Sequence, residues 1–107
     1  MNESMITPTE LTRCLGDETR MALMCLIAKQ REVCVCELVD ALGAPQSTIS
    51  RHLAQLRRCA LVTARRDGTW MHYRLNPDLP AWAHEVVNTL VAPAQEQLGL
   101  TAIAKAG

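Results

Sequence analysis

The sequence predicts a mainly α-helical domain interrupted by one β-hairpin, and three observations carry that prediction. Helix start and stop signals recur along the chain, at Thr7-Pro8-Thr9-Glu10, Asp17, Gly43 and Pro45. Ile49, Leu53 and Leu56 stand at i, i+4 and i+7, the stripe of a helix with one buried face. Asp67-Gly68 lies between the strand-like segments 62–67 and 70–75, a strong short-range hairpin signal. The 107 residues make one domain, since single domains usually run to about 100–150 residues. Apolar residues are 49% of the chain, aromatics only 3%, and Phe is absent, so the core must be aliphatic. A core of that size has a thin margin, and dimerisation would add to it.

The elements follow in order. Thr7-Pro8-Thr9-Glu10 is a capping box with Pro at the first helical position. It opens a helix over 8–15 that carries Leu11, Cys14 and Leu15 on one face and stops at Gly16. Asp17 caps a second helix over about 18–29. Val33-Cys34-Val35 alternates like a short extended piece, and 37–42 reads as a helix ended by Gly43. Pro45 begins the helix 45–58. A last amphipathic helix starts near Pro80 and runs to about 98; Pro93 should kink or divide it, and Gly99 should begin a frayed tail. The order helix, helix, short strand, helix, helix, hairpin, helix is that of a winged helix-turn-helix, with 37–58 as the reading unit and 62–75 as the wing.

Net charge is zero, yet the charge is segregated. Residues 51–74 hold six Arg and the single acid Asp67, while the flanking segments are both net acidic. A basic segment over a helix and a hairpin is the footprint of a phosphate-binding face, although a solvated surface has the same composition. Opposite the Ile49 stripe at 100° per residue lie Ser47, Arg51 and Arg58, flanked by Thr48, Ser50 and Gln55. Hydroxyl, amide and guanidinium groups suit the major groove, read mainly by the N-terminal part of such a helix. Gln46, Ser47, Thr48, Ser50, Arg51 and Arg58 are therefore the candidate DNA contacts, with Arg65 and Arg66 of the wing on the backbone or in the minor groove. His52 falls towards the buried stripe and reads as structural.

Five cysteines is an odd count, and Cys34 and Cys36 form a C-x-C. No run of 18 apolar residues and no basic-then-apolar leader occurs, so a cytoplasmic, membrane-free protein is expected, in which thiols serve metal or redox chemistry. Two sulfurs two residues apart point to opposite faces of a true strand. They converge only if the backbone turns between them, as at a helix start, where the dipole also favours thiolate. Soft thiolates select thiophilic ions, and an ion drawing both sulfurs together would distort the helix that precedes the reader. Cysteine is also a common small core residue, and on the residues alone both readings of the C-x-C stay open. Cys14 and Cys25 lie on apolar helix faces and read as packing.

Four segments resemble the ArsR/SmtB repressors, and among them the arsenical-resistance branch. They are Leu15 to Arg20, Val33 to Leu38, Ser47 to Leu53 and Asp67 to Leu75, in that order and spacing. The resemblance runs from about residue 8 to about residue 85. It implies a homodimer through the first and last helices (8–15 and 80–98), bound to an inverted repeat and released by arsenite or antimonite. It places the inducer on Cys34 and Cys36, with no permanent cofactor. One departure matters: the best-known site of the branch has a third cysteine three positions after the second, and here that position is Val39. Cys25, Cys59, a partner-chain cysteine or a small thiol could complete the site. Two sulfurs also suffice for a trivalent organoarsenical such as methylarsenite, one of whose bonds is already taken.

Other classes fit less well. Cadmium and lead sensors of the family share the C-x-C but add N-terminal cysteines, and residues 1–13 contain none. Zinc sensors carry ligand pairs on the last helix, where this chain offers the adjacent His84 and Glu85 and no second histidine. A thiol-oxidation switch would have to use Cys14, Cys25 or Cys59, because a Cys34–Cys36 disulfide would be strained. An enzyme is not expected: there is no C-x-x-C, no Gly-rich phosphate loop and no nucleophile-base pairing. A protein-interaction module without DNA binding conflicts with the Arg-rich segment.

Overall fold

The computed structural model describes residues 6–100. Within them the chain forms α1 (Pro8–Cys14), α2 (Glu18–Ala28), β1 (Val33–Cys34), α3 (Val35–Leu42), α4 (Gln46–Arg58), β2 (Val62–Asp67), β3 (Trp70–Leu75) and α5 (Ala81–Leu98). The expected order is present, and the local signals behind it are met. Thr7 and Glu10 make the reciprocal capping box of α1, Asp17 accepts from the Arg20 N–H at the start of α2, and Gly43 ends α3 in the left-handed conformation. The Arg20 N–H holds the Asp17 carboxyl below its ordinary range. That cap is therefore complete above the usual carboxylate pKa and is lost as pH falls through the lowered one.

Three boundaries differ from the sequence reading. Helix α3 begins at Val35, two residues before the expected start, which puts Cys36 inside its first turn. Pro45 is the N-cap of α4 rather than its first residue. Pro93 does not divide α5, which is assigned as one helix from Ala81 to Leu98. Pro93 and Thr89, whose carbonyl loses its N–H partner, are both exposed, so water can satisfy the freed group. Gly99 caps α5 in the left-handed conformation, with the Leu100 N–H returning to the Gln95 carbonyl; the tail expected beyond it lies outside the described residues.

The core is aliphatic, as the composition requires. Helix α2 buries the unbroken run Ala22 to Ile27, so it is the central helix, apolar all round and packed between α4 and α5. Helix α4 buries Ile49, Leu53 and Leu56, its predicted stripe, and leaves its polar face outside. The sheet has the order β1-β3-β2, all antiparallel. Residues 33 and 34 thus join the hairpin as a third strand, with Cys34 opposite His72. Gly68 supplies the positive φ that the hairpin turn needs.

Between α4 and β2, Ala60 holds φ 68, in the left-handed region where a Cβ is strained. The turn persists because its ends are tied. The Leu61 N–H bonds the Leu56 carbonyl, and the Asn76 amide donates to the Ala60 carbonyl at 2.9 Å. Ala60→Gly should therefore stabilise the protein by about 0.5–1 kcal/mol, the relieved strain exceeding the added chain entropy. Urea unfolding checks this, and a lower midpoint would show that the left-handed alanine is not strained.

Candidate functional site

Helix α3 starts on a sulfur. Cys34 is its N-cap, in extended backbone, and the Cys36 N–H donates to Cys34 Sγ at 3.4 Å. Glu37 completes the capping box by accepting from the Cys34 N–H at 2.8 Å. This turn of the backbone, from strand β1 into helix, brings the two sulfurs to 2.6 Å. Cys34 is buried and Cys36 exposed, and both open on a groove whose other walls include Glu32, Glu37, His72 and Arg74. The pair is held between two elements: the β1–β3 bridge ties Cys34 to the wing strand, and α3 carries Cys36 towards the reader.

The expected thiolate stabilisation is not what the geometry yields at Cys36. Its pKa is raised, first by the hydrogen bond with Cys34, then by burial and by the charges of Cys34 and Glu37. A sulfur at 2.6 Å and a carboxylate next in sequence outweigh the helix dipole.

The proposed third ligands are engaged elsewhere. Cys25 is buried in α2, with its Sγ at 3.8 Å from the Val91 carbonyl of α5. Cys59, the C-cap of α4, sits 2.8 Å from Cys14 Sγ on α1. Val39, at the family's third-ligand position, is half-buried against the core. Among the described residues no three Cys, His, Asp or Glu side chains cluster closely enough to hold a metal ion.

On α4, Gln46, Ser47, Ser50 and Arg51 are exposed and Thr48 is half-buried beside them. They form one polar surface at the N-terminal end of the helix. Arg58 does not join them. It lies 12 residues on, about 18 Å along the axis, and lines a second groove with Arg13, Arg20 and Cys59. Arg66 is exposed near the tip of the wing, where Trp70 is also 52% exposed. Arg65 is committed to Glu32 by two hydrogen bonds of 2.8 and 2.7 Å, which hold the Glu32 carboxyl below its usual range. His84 is exposed and pairs with Asn88.

One group of residues was missed by reading motifs singly. Arg20 Nε donates to the Cys14 carbonyl at 2.6 Å, and its Nη1 lies 3.3 Å from His52 Nδ1 on α4. Asp17 Oδ2 is 3.7 Å from the same ring nitrogen. Asp17, Arg20 and His52 thus pin the α1–α2 junction to the middle of the reader. The i, i+3 spacing of Asp17 and Arg20 was visible in the sequence; their partner 32 residues beyond Arg20 was not.

A helix-turn-helix with its polar face outward, followed by a hairpin and backed by a packed helical layer, defines the class of winged-helix DNA-binding proteins. Residues 17–64 match the bacterial regulatory protein arsR family. The chain is 52% identical over 92 residues to the arsenic resistance transcriptional regulator ArsR2 of Pseudomonas putida, spanning 85% of this chain and 80% of that protein. It is 42% identical over 95 residues to the arsenical resistance operon repressor of Escherichia coli, spanning 89% and 81%. Among solved structures it is similar to HlyU from Vibrio cholerae, with 29% identity, a TM-score of 0.69 and coverage of 77% and 85%. It is also similar to a homodimeric winged helix-turn-helix domain from Mycobacterium bovis, with 27% identity, a TM-score of 0.66 and coverage of 84% and 80%. This chain belongs to the arsR family of transcriptional regulators, and that membership makes it a DNA-binding regulator rather than an enzyme.

The sulfur cap yields a stability prediction. Cys34→Ser replaces a weak acceptor by a strong N-cap and should be at least as stable as wild type. Cys34→Ala removes the cap and should lower stability by less than the roughly 1 kcal/mol typical of an oxygen cap. Equal unfolding midpoints for Cys34→Ala and wild type would contradict the cap.

Proposed function

We propose that this chain is a homodimeric repressor of an arsenic-resistance operon, released from its operator when trivalent arsenic or antimony bonds to Cys34 and Cys36. The observation that carries this reading is the 2.6 Å approach of the two sulfurs at the N-cap of α3. Its relatives named for arsenic resistance support the same ligand class. In the proposed complex, α4 enters the major groove through Gln46, Ser47, Thr48, Ser50 and Arg51, with Arg66 on the backbone. Arg65, already paired with Glu32, and Arg58, at the far end of α4, are assigned lesser roles. The dimer forms through α1 and α5, whose partly buried Val86 and Leu90 offer apolar surface. The expected site of action is the cytoplasm.

Condensation of arsenite with two thiols forms two As–S bonds, breaks two As–O bonds and releases two waters. The thiol protons leave in that water, so the raised pKa of Cys36 is no obstacle. The sulfur that bonds arsenic gives up its role as acceptor at the N-cap. Loss of that cap loosens the first turn of α3, and through Cys34 and His72 the strain also reaches the wing. The third bond of arsenic is left to hydroxide, a small thiol or, in methylarsenite, carbon.

The test titrates reduced protein against a labelled duplex from its own upstream region. Arsenite should release wild type, and methylarsenite should do so at lower concentration when small thiols are excluded; release no better than by arsenite would remove the support for a two-sulfur organoarsenical site. Cys34→Ser/Cys36→Ser should bind the duplex and ignore both. Retention of DNA by wild type in arsenite would overturn the inducer reading while leaving the regulator intact.

Ligand class has its own signature in pH. Cadmium must displace thiol protons, so its affinity should climb with pH by up to about tenfold per unit for each proton displaced. Arsenite binding releases none and should be nearly flat between pH 6 and 8. Steep arsenite binding, rising with pH, would show that preformed thiolates are required.

A further inference from the structure

Cys14 and Cys59 have no part in the proposed inducer site, yet the fold brings them together across 45 residues of chain. Their sulfurs are 2.8 Å apart. Cys14 is 8% exposed on the inner face of α1, where Arg20 holds its carbonyl. Cys59, at the end of α4, is half-buried, and its Sγ also lies 3.4 Å from the Leu56 carbonyl. Both thiols line the groove shared with Glu10, Arg13, Arg20 and Arg58, in which three guanidinium groups face one carboxylate. A thiol pair in contact, reached through a positively charged mouth, is an arrangement for oxidation rather than for packing alone.

We propose that Cys14 and Cys59 form a second, independent thiol site that a hydroperoxide oxidises to an intramolecular disulfide, with Cys59 attacking and Cys14 resolving. The roles follow from access and environment. Cys59 is the more exposed sulfur, and its pKa is lowered to about 7, first by the Cys14 hydrogen bond and then by backbone N–H groups. Cys14 is pushed in the opposite direction by Cys59 and by burial, so it keeps its proton until the second step.

In the first step the Cys59 sulfur attacks one peroxide oxygen and the O–O bond breaks. Cys59 becomes a sulfenic acid, and the leaving oxygen takes the proton that Cys59 has shed, departing as alcohol or water. In the second step Cys14 sulfur attacks the sulfenic sulfur, the S–O bond breaks, and the hydroxyl leaves as water with the Cys14 proton. Two thiols are oxidised and one peroxide is reduced. Closing from 2.8 Å to a disulfide bond of about 2.05 Å requires less than about 1 Å of movement. The product would tie α1 to the end of the reader helix.

Peptide mapping tests this on the full reduced chain. Trypsin releases 14–20 and 59–65 as separate peptides, each with one cysteine, while Cys34 and Cys36 share a third. Hydrogen peroxide near stoichiometry should remove about 2 mass units from the unalkylated protein; after alkylation the oxidised protein should carry two fewer alkyl groups, with 14–20 linked to 59–65. Dithiothreitol should reverse both. Cys14→Ser should leave Cys59 as a sulfenic acid that dimedone captures, and Cys59→Ser should leave Cys14 as a free thiol. Cys34→Ser/Cys36→Ser should form the same link, so the outcome is separate from that of the arsenite titration. A disulfide confined to the 34–36 peptide, links between chains, or oxidation of Cys14 at an undiminished rate in Cys59→Ser would each overturn the proposal.

Discussion

The proposed site depends on the hydrogen bonds that Cys34 sulfur accepts at the start of α3. Helix N-termini are usually capped by oxygen, from Ser, Thr, Asp or Asn, because oxygen is a strong acceptor. Sulfur is a weak one, so this cap holds the helix start but yields to a partner that bonds sulfur more strongly. The capping box with Glu37 turns the chain out of β1, and that turn is what makes two cysteines two residues apart converge. A serine at position 34 would cap better and, on the proposed reading, would offer arsenic no sulfur. The proposed sensing chemistry thus occupies a position where the fold already tolerates a weak interaction.

From that point two paths lead to the surface proposed to face DNA. One runs along α3, through the left-handed Gly43, to the exposed N-terminal turns of α4. The other crosses the β1–β3 bridge to the wing, where Glu32 also holds Arg65. Opposite them, Asp17, Arg20 and His52 fasten α4 to the α1–α2 junction. The reader is therefore firmly held on its inner side by the aliphatic core and this polar network. On its N-terminal side it depends on an element begun by a sulfur.

Much of this was legible in the sequence because it is local. The caps at Thr7 and Asp17, the Ile49 stripe and the Asp67-Gly68 hairpin each act within a few residues, and all are present. The two-residue error at α3 has a physical cause: Val33-Cys34-Val35 alternates like a strand, and Cys-x-x-Glu is not an expected capping box. The convergence of Cys34 and Cys36 was foreseeable as a condition, a backbone turn between them, but its cap was not. That Pro93 leaves α5 undivided was not legible, because the solvent exposure of Thr89 and Pro93 depends on how α5 packs. The Cys14–Cys59 contact and the His52 network join residues 32 to 45 positions apart, which no periodicity encodes.

Amide hydrogen exchange at the start of α3, with and without arsenite, tests the sulfur cap as the coupling element most directly. If arsenic takes the capping sulfur, the Cys36 and Glu37 amides should exchange faster in the arsenite-bound protein, with no comparable change in α2. Protection at those two amides that is unchanged or increased on arsenite binding would contradict the account.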